Sequence, residues 1–319
     1  MRKHMRGEGV DIVIVAWRKL SRRSQLLAKA LNAKILFFPD RVPYIKAFLS
    51  TFFAVTRGNM HTILVQLPQG PLLLEALLLK MLKRCKVVAD VHTGFLVTTD
   101  WKGLLLNAPF VKFLGKSDLI LIHNDFQLNL IPVNFRAKTI VVYDPWYLIG
   151  NKKHEGKQGD YIAFPSSFAP DEPLEEVINS INSFNINVKM YVTGDWRRQP
   201  KVINYASDRI IFTGYLREDK YNKLLSNARA IITGTKREYT SLMSAWEAVA
   251  YAKPLALTKT ETLKRLFGNY AVFYDWRNNE SIANAIKSII SSEPNLDARE
   301  EFKSKALKGI NMLKHRLEV

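Results

Sequence analysis

Basic and hydroxyl side chains precede a glutamate in the segment TGTKREYTSLMSAWEAVAYAKPLAL. A helix that begins at Thr240 or Ser241, after an apolar strand, would present unpaired amide groups to an anion. Lys236 and Arg237 would add positive charge there. Glu247 would lie roughly 10 Å further along the same helix face, where a carboxylate could accept hydrogen bonds from ribose hydroxyls. This spacing favours a nucleotide site, although a solvated charged loop is an equal alternative.

Small and polar residues also follow predicted strands in the C-terminal half, where the backbone could approach a diphosphate. They are Ser166, Ser167, Gly194, Arg198, Gly214 and Tyr215. The cation of Arg198 could neutralise a nucleoside diphosphate, whose charge grows as it leaves in a transition state. The sequence has no Asp-x-Asp pair of the kind that holds a divalent ion, so we expect no metal and no cofactor. An ordinary glycine turn at Gly214 and an exposed basic turn at Arg198 are the alternatives.

The N-terminal half offers candidates for acid-base chemistry. His92 directly follows the predicted strand 87–91, and Asp100 lies a few residues further along. Either side chain could deprotonate a hydroxyl, although a lone histidine is more often structural. His123 follows the next predicted strand and is a weaker candidate, while Asp90 is expected to fix its loop by accepting backbone hydrogen bonds.

Two further N-terminal segments suit an anionic partner. The helix start SRRSQLL could present Arg22, Arg23 and Ser24 to a phosphate, and a basic surface helix is the alternative. Residues 44–55 carry apolar positions at helical spacing, bordered by Arg41, Lys46 and Arg57, as a helix lying on an anionic membrane would, and a core helix fits nearly as well.

The elements that position these residues alternate between strand and helix, which indicates an α/β fold with two Rossmann-like, doubly wound parallel sheets facing a cleft. Strands are predicted at 10–16, 34–38, 62–66, 87–91, 119–122, 139–142, 161–164, 188–192, 210–212, 230–232, 254–257 and 271–274. Helices are predicted at 21–31, 71–82, 172–182, 218–226, 240–251 and 281–291. A polar linker at 147–160 separates domain 1–150 from domain 158–295, and a last helix within 296–319 is expected to pack back on the first domain.

Composition limits the partners of the protein. The formal net charge is +18, with 21 basic and 9 acidic residues in 1–150 and 26 and 20 in 151–319. Such an excess attracts nucleotides, nucleic acid or anionic lipid. The single Cys85 excludes an internal disulfide framework, and no apolar run is long enough to span a bilayer. We therefore expect a cytoplasmic protein, with peripheral contact at the inner face of the cell membrane as an option.

The segment TSLMSAWEAVAYAKPLALTKT resembles the donor-binding segment of GT-B glycosyltransferases, especially the family-4-like, group 1 type, through Glu247-Ala248 and Lys253-Pro254. FPSSFAPDEPLEEVINSI, MYVTGDWRRQP and IIFTGYLREDKYNKLLSNARAIITGTKREYT are similar to the rest of that donor domain. AWRKLSRRSQLLAKAL, VVADVHTGFLVTTDW and LILIHND look like the acceptor domain. The resemblance covers nearly the whole chain.

The resemblance implies transfer of a sugar from a nucleotide-diphosphate sugar to an acceptor, which could be a lipid-linked glycan. It implies that Glu247 holds the ribose, that the loop at Gly214 and Tyr215 holds the base, and that His92 lies near the transferred sugar. It would place Glu238 at the sugar, although the eight residues between Glu238 and Glu247 depart from the usual family spacing. A noncatalytic scaffold subunit and a basic nucleic-acid-binding protein are the alternatives.

Overall fold

The computed structural model describes residues 12–98, 101–150 and 159–318. The chain forms two compact units. The first runs to Pro145 and includes the chain from Lys305 onwards, and the second runs from Trp146 to Ser304. Asp100 and most of the predicted linker lie outside the described residues.

The first unit is built on a parallel six-stranded sheet in the order β2-β1-β3-β4-β5-β6, counted within the described residues. Its strands are β1 Ile12–Trp17, β2 Lys34–Phe38, β3 Thr62–Leu67, β4 Lys86–Val91, β5 Leu119–Ile122 and β6 Thr139–Val141. All residues of β1, β3 and β5 are buried, because helices cover both faces of the sheet.

Five helices connect the strands of this sheet along the described part of the chain. They are α1 Arg22–Leu31, α2 Ile45–Arg57, α3 Gly70–Lys83, α4 Thr93–Leu96 and α5 Trp101–Leu106. Ser21 caps α1 by accepting a hydrogen bond from the backbone amide of Ser24. A 3-10 segment, Ala108–Lys116, follows α5 and packs against α3.

The second unit has its own parallel six-stranded sheet among the described residues, in the order β12-β11-β10-β7-β8-β9. Its strands are β7 Tyr161–Pro165, β8 Lys189–Thr193, β9 Ile210–Gly214, β10 Ala230–Thr233, β11 Leu255–Thr258 and β12 Ala271–Tyr274. The strand order reverses between β7 and β10. In open α/β sheets, such a reversal leaves a crevice at the carboxyl ends of the strands, where ligands bind.

The helices of the second unit are α6 Leu174–Ser183, α7 Glu218–Asn227, α8 Met243–Ala250, α9 Glu261–Phe267 and α10 Asn279–Ser291. The final helix, α11, spans Leu296–Leu317 and contributes to both units. Phe302 contacts the rings of Trp246 and Phe267 in the second unit. Ile310, Leu313 and Leu317 join the apolar core of the first unit.

The structure confirms the predicted α/β fold with two parallel sheets. Each predicted strand is found with its described ends shifted by at most two residues, because buried β-branched runs mark parallel strands clearly; residues 10 and 11 of the first predicted strand lie outside the described residues. The helix predicted at 240–251 is shorter than expected and begins at Met243. Helices α4, α5 and α9 were not predicted, since each has seven residues or fewer and shows little periodicity.

Among the described residues, no helix combines the length and the apolar character that crossing a membrane requires.

Candidate active site

Three loops meet at the carboxyl ends of β7, β8 and β9 in the second unit. The amide of Ser166 donates to the carbonyl of Thr193 at 3.2 Å, and the amide of Gly194 donates to the carbonyl of Gly214 at 3.1 Å. Gly194 has φ of +108°, and a Cβ there would lie 2.1 Å from the Ser166 carbonyl oxygen. Only glycine fits this position, so the predicted residues Ser166, Gly194 and Gly214 are brought together as backbone neighbours.

Hydrogen-bond donors at the end of β7 converge on one carboxylate. Glu172 accepts from the Ser166 hydroxyl at 2.5 Å, from the Ser167 amide at 3.0 Å and hydroxyl at 2.6 Å, and from the Phe168 amide at 3.1 Å. Arg198 donates to the Ser167 carbonyl at 2.5 Å. The donors at the end of β7 are therefore arranged around a single anionic group, the carboxylate of Glu172. Sequence reasoning identified Ser166 and Ser167 and missed Phe168 and Glu172.

Glu247 lies on α8 and is buried, with 4% of its surface exposed. The Tyr221 hydroxyl, from α7, donates to Glu247 Oε2 at 2.5 Å. Since α8 begins at Met243, Glu247 is one turn, about 6 Å, from the helix start. The expectation of two turns was wrong for this reason. Tyr221 was not identified from the sequence, because nothing in its local pattern indicates a partner 26 residues away.

The start of α8 has no side-chain cap. Its N-cap residue is Leu242, in place of the predicted Thr240 or Ser241. The Thr240 hydroxyl donates to the Glu238 carbonyl at 3.2 Å, and the Ser241 hydroxyl accepts from the Trp246 indole at 2.9 Å. No side chain therefore caps the helix start, although the amides of Ala245 and Trp246 donate to the Leu242 carbonyl.

Lys236 and Arg237 do not supply uncompensated positive charge beside α8. Lys236 Nζ forms an ion pair with Glu176 at 2.5 Å and lies over the Trp276 ring. Arg237 Nε lies 3.6 Å from Asp171. The prediction from sequence is corrected because these carboxylates, sixty or more residues earlier in the chain, already balance both cations.

Glu238 caps another helix. Its carboxylate accepts from the amides of Glu261 and Thr262, at 3.0 and 3.1 Å, and from the Thr262 hydroxyl at 2.8 Å. These groups form the start of α9, where a negative charge is stabilised by the helix dipole. In this structure the carboxylate of Glu238 serves as a helix cap, and its expected place at the transferred sugar stays a prediction.

Tyr215 follows β9 and is 85% exposed. Gly214 has φ of +70°, and its carbonyl accepts from both the Gly194 amide and the Thr213 hydroxyl. The loop is therefore held by its own backbone bonds, while the phenol ring of Tyr215 stands in solvent.

Two histidines lie together at the carboxyl ends of β4 and β5 in the first unit. The His92 and His123 rings are 4.6 Å apart in an edge-to-face arrangement. His92 Nε2 lies 3.5 Å from Asp90 Oδ2. Burial lowers the pKa of His123 well below its usual value, and the nearby charge of Arg23 lowers it further. His123 is therefore a neutral imidazole at pH 7.

Arg23 is buried, with 2% of its surface exposed, and contacts two carboxylates. Its Nε donates to Asp90 at 3.0 Å, and its Nη1 donates to Asp144 at 3.0 Å and to the Val142 carbonyl. Burial opposes ionisation of Asp90, but Arg23 holds the pKa of that carboxyl well below its usual range. Burial raises the pKa of Asp144.

This network corrects three expectations. Arg23 does not face a phosphate, because its guanidinium is enclosed by carboxylates. Asp90 accepts from Arg23 rather than from a loop backbone. Ser24 is buried, and its hydroxyl donates to Gln66 at 2.8 Å. Arg22 is half-buried at the start of α1.

One set of side chains in the described part of the chain could hold a metal ion. Ligand atoms of Asp90, His92 and His123 all lie within 4.8 Å of one another. The set includes two imidazoles, which suit zinc and similar ions. Its carboxylate is already paired with Arg23, whose positive charge opposes a cation there.

Comparisons with known structures identify the fold. The chain is similar to Anabaena HepE in complex with UDP and glucose, with a TM-score of 0.66 and 12% identity over 96% of this chain and 95% of that chain. A glycosyltransferase from Rickettsia africae gives a TM-score of 0.66 and 14% identity over 97% of both chains. The UDP-GlcNAc 2-epimerase of Methanocaldococcus jannaschii gives a TM-score of 0.61 and 11% identity over 96% of this chain and 99% of that chain. At these identities the similarity shows the GT-B fold alone.

A comparison with curated protein sequences gives no significant match. The family described as glycosyl transferases group 1 matches residues 149–309 of the 319. The matched range contains β7 to β12, the donors around Glu172 and the Tyr221–Glu247 pair. Sequence match and fold agree, and we conclude that this protein belongs to the glycosyl transferases group 1 family.

Proposed function

We propose that the protein transfers a sugar from a nucleotide-diphosphate sugar to an acceptor hydroxyl. In this reaction the bond from sugar C1 to the diphosphate oxygen breaks and a bond from C1 to the acceptor oxygen forms. The acceptor hydroxyl loses its proton, and the nucleoside diphosphate leaves. The second unit would bind the donor and the first unit the acceptor.

The observation that carries this proposal is the buried carboxylate of Glu247 with its Tyr221 partner. A buried carboxylate is costly unless it accepts hydrogen bonds. A pair of ribose hydroxyls would supply such bonds to Glu247. At one turn below an uncapped helix start, Glu247 would accept from ribose hydroxyls beside amides that would donate to a phosphate, and a nucleotide requires both groups close together.

The diphosphate would bind the first amides of α8 and the donors at Ser166, Ser167 and Phe168. These donors now satisfy Glu172, so a bound diphosphate would displace that carboxylate. Backbone and hydroxyl donors can stabilise the charge that grows on the leaving diphosphate. Arg198, held at the Ser167 carbonyl, could contribute a cation. The exposed ring of Tyr215 could stack on the base.

For the acceptor side, we propose that His92 contacts the transferred sugar or the acceptor hydroxyl, with Asp100 as a second candidate. His92 is only partly buried, unlike Asp90 beside it. We further propose a lipid-linked glycan as the acceptor, at the inner surface of the cell membrane. The excess of 21 basic over 9 acidic residues in 1–150 supports this choice.

We also propose that transfer needs no divalent ion. The sequence has no Asp-x-Asp pair, and the donors at the end of β7 are uncharged groups able to bind phosphate directly. Arg23 already balances the carboxylate of the Asp90, His92 and His123 set.

The proposal is tested by thermal unfolding with a panel of UDP-, GDP- and ADP-sugars. A donor present at a hundred times its dissociation constant should stabilise the protein by about 2.7 kcal/mol. Glu247→Gln should remove this stabilisation, and Glu293→Gln, at an exposed site between α10 and α11, should retain it. Absence of stabilisation by every donor would contradict the proposal. Donor stabilisation without turnover would favour a scaffold role, and tighter binding to RNA than to nucleotides would favour the nucleic-acid alternative.

A further inference from the structure

Three helices of the first unit expose large apolar side chains. Met81 is 79% exposed, Trp101 67% and Ile45 62%, although side chains of these types are usually buried. We define the apolar face by the exposed residues Ile45, Leu49, Phe53, Leu74, Leu78, Met81, Leu82, Trp101, Leu104 and Leu105. Scattered exposed apolar residues need no explanation, but this many on neighbouring helices indicates an interaction surface.

The apolar residues form one stripe on each helix. On α2 they recur every four residues, and on α3 they recur at intervals of four, three and one. On α5 they occupy positions separated by three and one. These spacings place the residues of each helix on one side of it. Helix α2 packs against α3, and α3 packs against the 3-10 segment Ala108–Lys116, which in turn packs against α5. The three stripes therefore belong to one side of the first unit.

Cationic residues lie beside the apolar face. Arg57 lies over the Phe53 ring at 5.3 Å, and Lys112 and Lys116 lie over the Phe113 ring at 5.3 and 5.5 Å. Lys46 and Lys83 are also exposed. Lys80 is the exception, because Asp118 pairs with it at 2.7 Å. The face thus combines apolar stripes with positive charges at its border.

Acidic residues are almost absent from the helices that carry the face. Residues 41–57, 70–84 and 101–116 contain a single acidic residue, Glu75. Glu75 points inward and has no exposed surface. Burial raises its pKa to about 8, so it is uncharged at neutral pH. The three helices that carry the face therefore present no negative charge to a partner.

This charge pattern favours one kind of binding partner for the apolar face over the others. Two copies of the chain would bring the same cations together, and their repulsion disfavours a dimer. Nucleic acid would be attracted by the cations but would gain nothing from the aliphatic stripes. An anionic bilayer satisfies both features, because leucine, phenylalanine and tryptophan enter the headgroup boundary while lysine and arginine contact anionic lipids.

We propose that the apolar face formed by α2, α3 and α5 docks on the surface of a membrane that contains anionic phospholipid. The inference extends the membrane location proposed above and assigns it to particular residues. It does not depend on donor chemistry, since none of these residues belongs to the second unit. The helices would lie on the bilayer without crossing it.

Vesicle flotation tests the inference. The full chain should float with vesicles of phosphatidylcholine that contain about one-third phosphatidylglycerol, and much less with pure phosphatidylcholine. The double variant Met81→Glu, Leu82→Glu should reduce binding to the anionic vesicles at least about tenfold. The matched control is Leu296→Glu, at an exposed apolar residue of the second unit, and it should bind as the unchanged protein does.

Two results would overturn the inference: no binding to anionic vesicles, or equal binding by the double variant. Loss of a dimer in the double variant, measured by sedimentation velocity without vesicles, would instead identify a contact between copies. The stabilisation of the same variants by a nucleotide-sugar is measured by thermal unfolding. It should equal that of the unchanged protein. A failure of membrane docking is therefore distinguishable from a failure of the proposed sugar transfer.

Discussion

The hydroxyl of Tyr221 donates a 2.5 Å hydrogen bond to Oε2 of the buried Glu247. The bond joins α7 to α8 and fixes the carboxylate in one orientation. A hydrogen bond to a charged group contributes more than one between neutral groups. The pair therefore gives a direct way to ask whether the orientation of Glu247 matters for binding a nucleotide.

We expect Tyr221→Phe to weaken binding of the nucleotide-sugar about tenfold, because the carboxylate loses the donor that orients it. Isothermal titration calorimetry measures the change. Tyr205→Phe, in the 3-10 segment Pro200–Tyr205, is the control and should bind normally. Equal affinities in the two variants would mean that Glu247 does not contact the nucleotide through this orientation.

A second prediction separates a capping role of Glu238 from a role at the sugar. Glu238→Ala should reduce the free energy of unfolding by about 1 kcal/mol, because the first amides of α9 lose their acceptor. Donor affinity and turnover should change little. Glu261→Ala, in the first turn of the same helix, should cost less, since that side chain pairs with Lys264 instead. A large loss of turnover in Glu238→Ala, with normal stability, would show that Glu238 acts at the transferred sugar.

Replacement of Arg23 should be among the most damaging single changes in the first unit. Arg23→Met would leave Asp90 and Asp144 buried without a cation, at a cost of roughly 3–5 kcal/mol. The loss should shrink as the pH falls toward 4, because protonation of the two carboxyls removes the buried charge. Chemical denaturation at several pH values measures both effects. Lys29→Met, at an exposed site of α1, should have little effect at any pH.

Glu75 should make the stability of the protein fall as the pH rises. Its pKa in the folded state is raised from 4.5 to about 8 by burial, so the folded protein holds a proton that the unfolded chain releases. The stability that the proton on Glu75 contributes is therefore fully present below pH 4.5 and is lost as the pH rises through 8, by up to roughly 4 kcal/mol. Glu75→Gln should remove this slope in pH-dependent denaturation. The exposed Glu293→Gln should keep it, and an unchanged slope in Glu75→Gln would contradict the assignment.

Turnover should survive removal of divalent ions. With EDTA present throughout, we expect at least half of the activity seen with added magnesium or zinc, since Arg23 takes the place of a cation beside Asp90. Activity is measured as release of nucleoside diphosphate. Complete loss in EDTA, restored by one ion, would assign that ion to Asp90, His92 and His123 or to the donor.

The sequence predicts those features that depend on local pattern. Buried β-branched runs give the strands, and the alternation with helices gives two parallel sheets. The presence of Glu247 on a helix after β10 is predicted correctly, but its spacing from the helix start is not, because the helix begins three residues later than expected. Ser241 and Thr240 each have the chemistry of a cap, and only the fold shows that Trp246 and the Glu238 carbonyl hold their hydroxyls.

Partners that are distant in sequence explain most of the corrected site residues. Asp171 and Glu176 balance Arg237 and Lys236, and Asp90 and Asp144 enclose Arg23. A charged side chain in a sequence has no visible partner, so its charge is naturally assigned to a ligand. The order of the strands in the sheet decides which distant carboxylate lies next to a cation. No local sequence pattern reveals that order.

Helix α11 completes two hydrophobic cores with one uninterrupted backbone: Phe302 fills one and Ile310, Leu313 and Leu317 fill the other. Unfolding of the whole helix would expose apolar surface in both units, which links their unfolding equilibria. Heat should therefore melt the chain in one cooperative transition. A ligand held only by the second unit would then raise the temperature at which the first unit loses its structure.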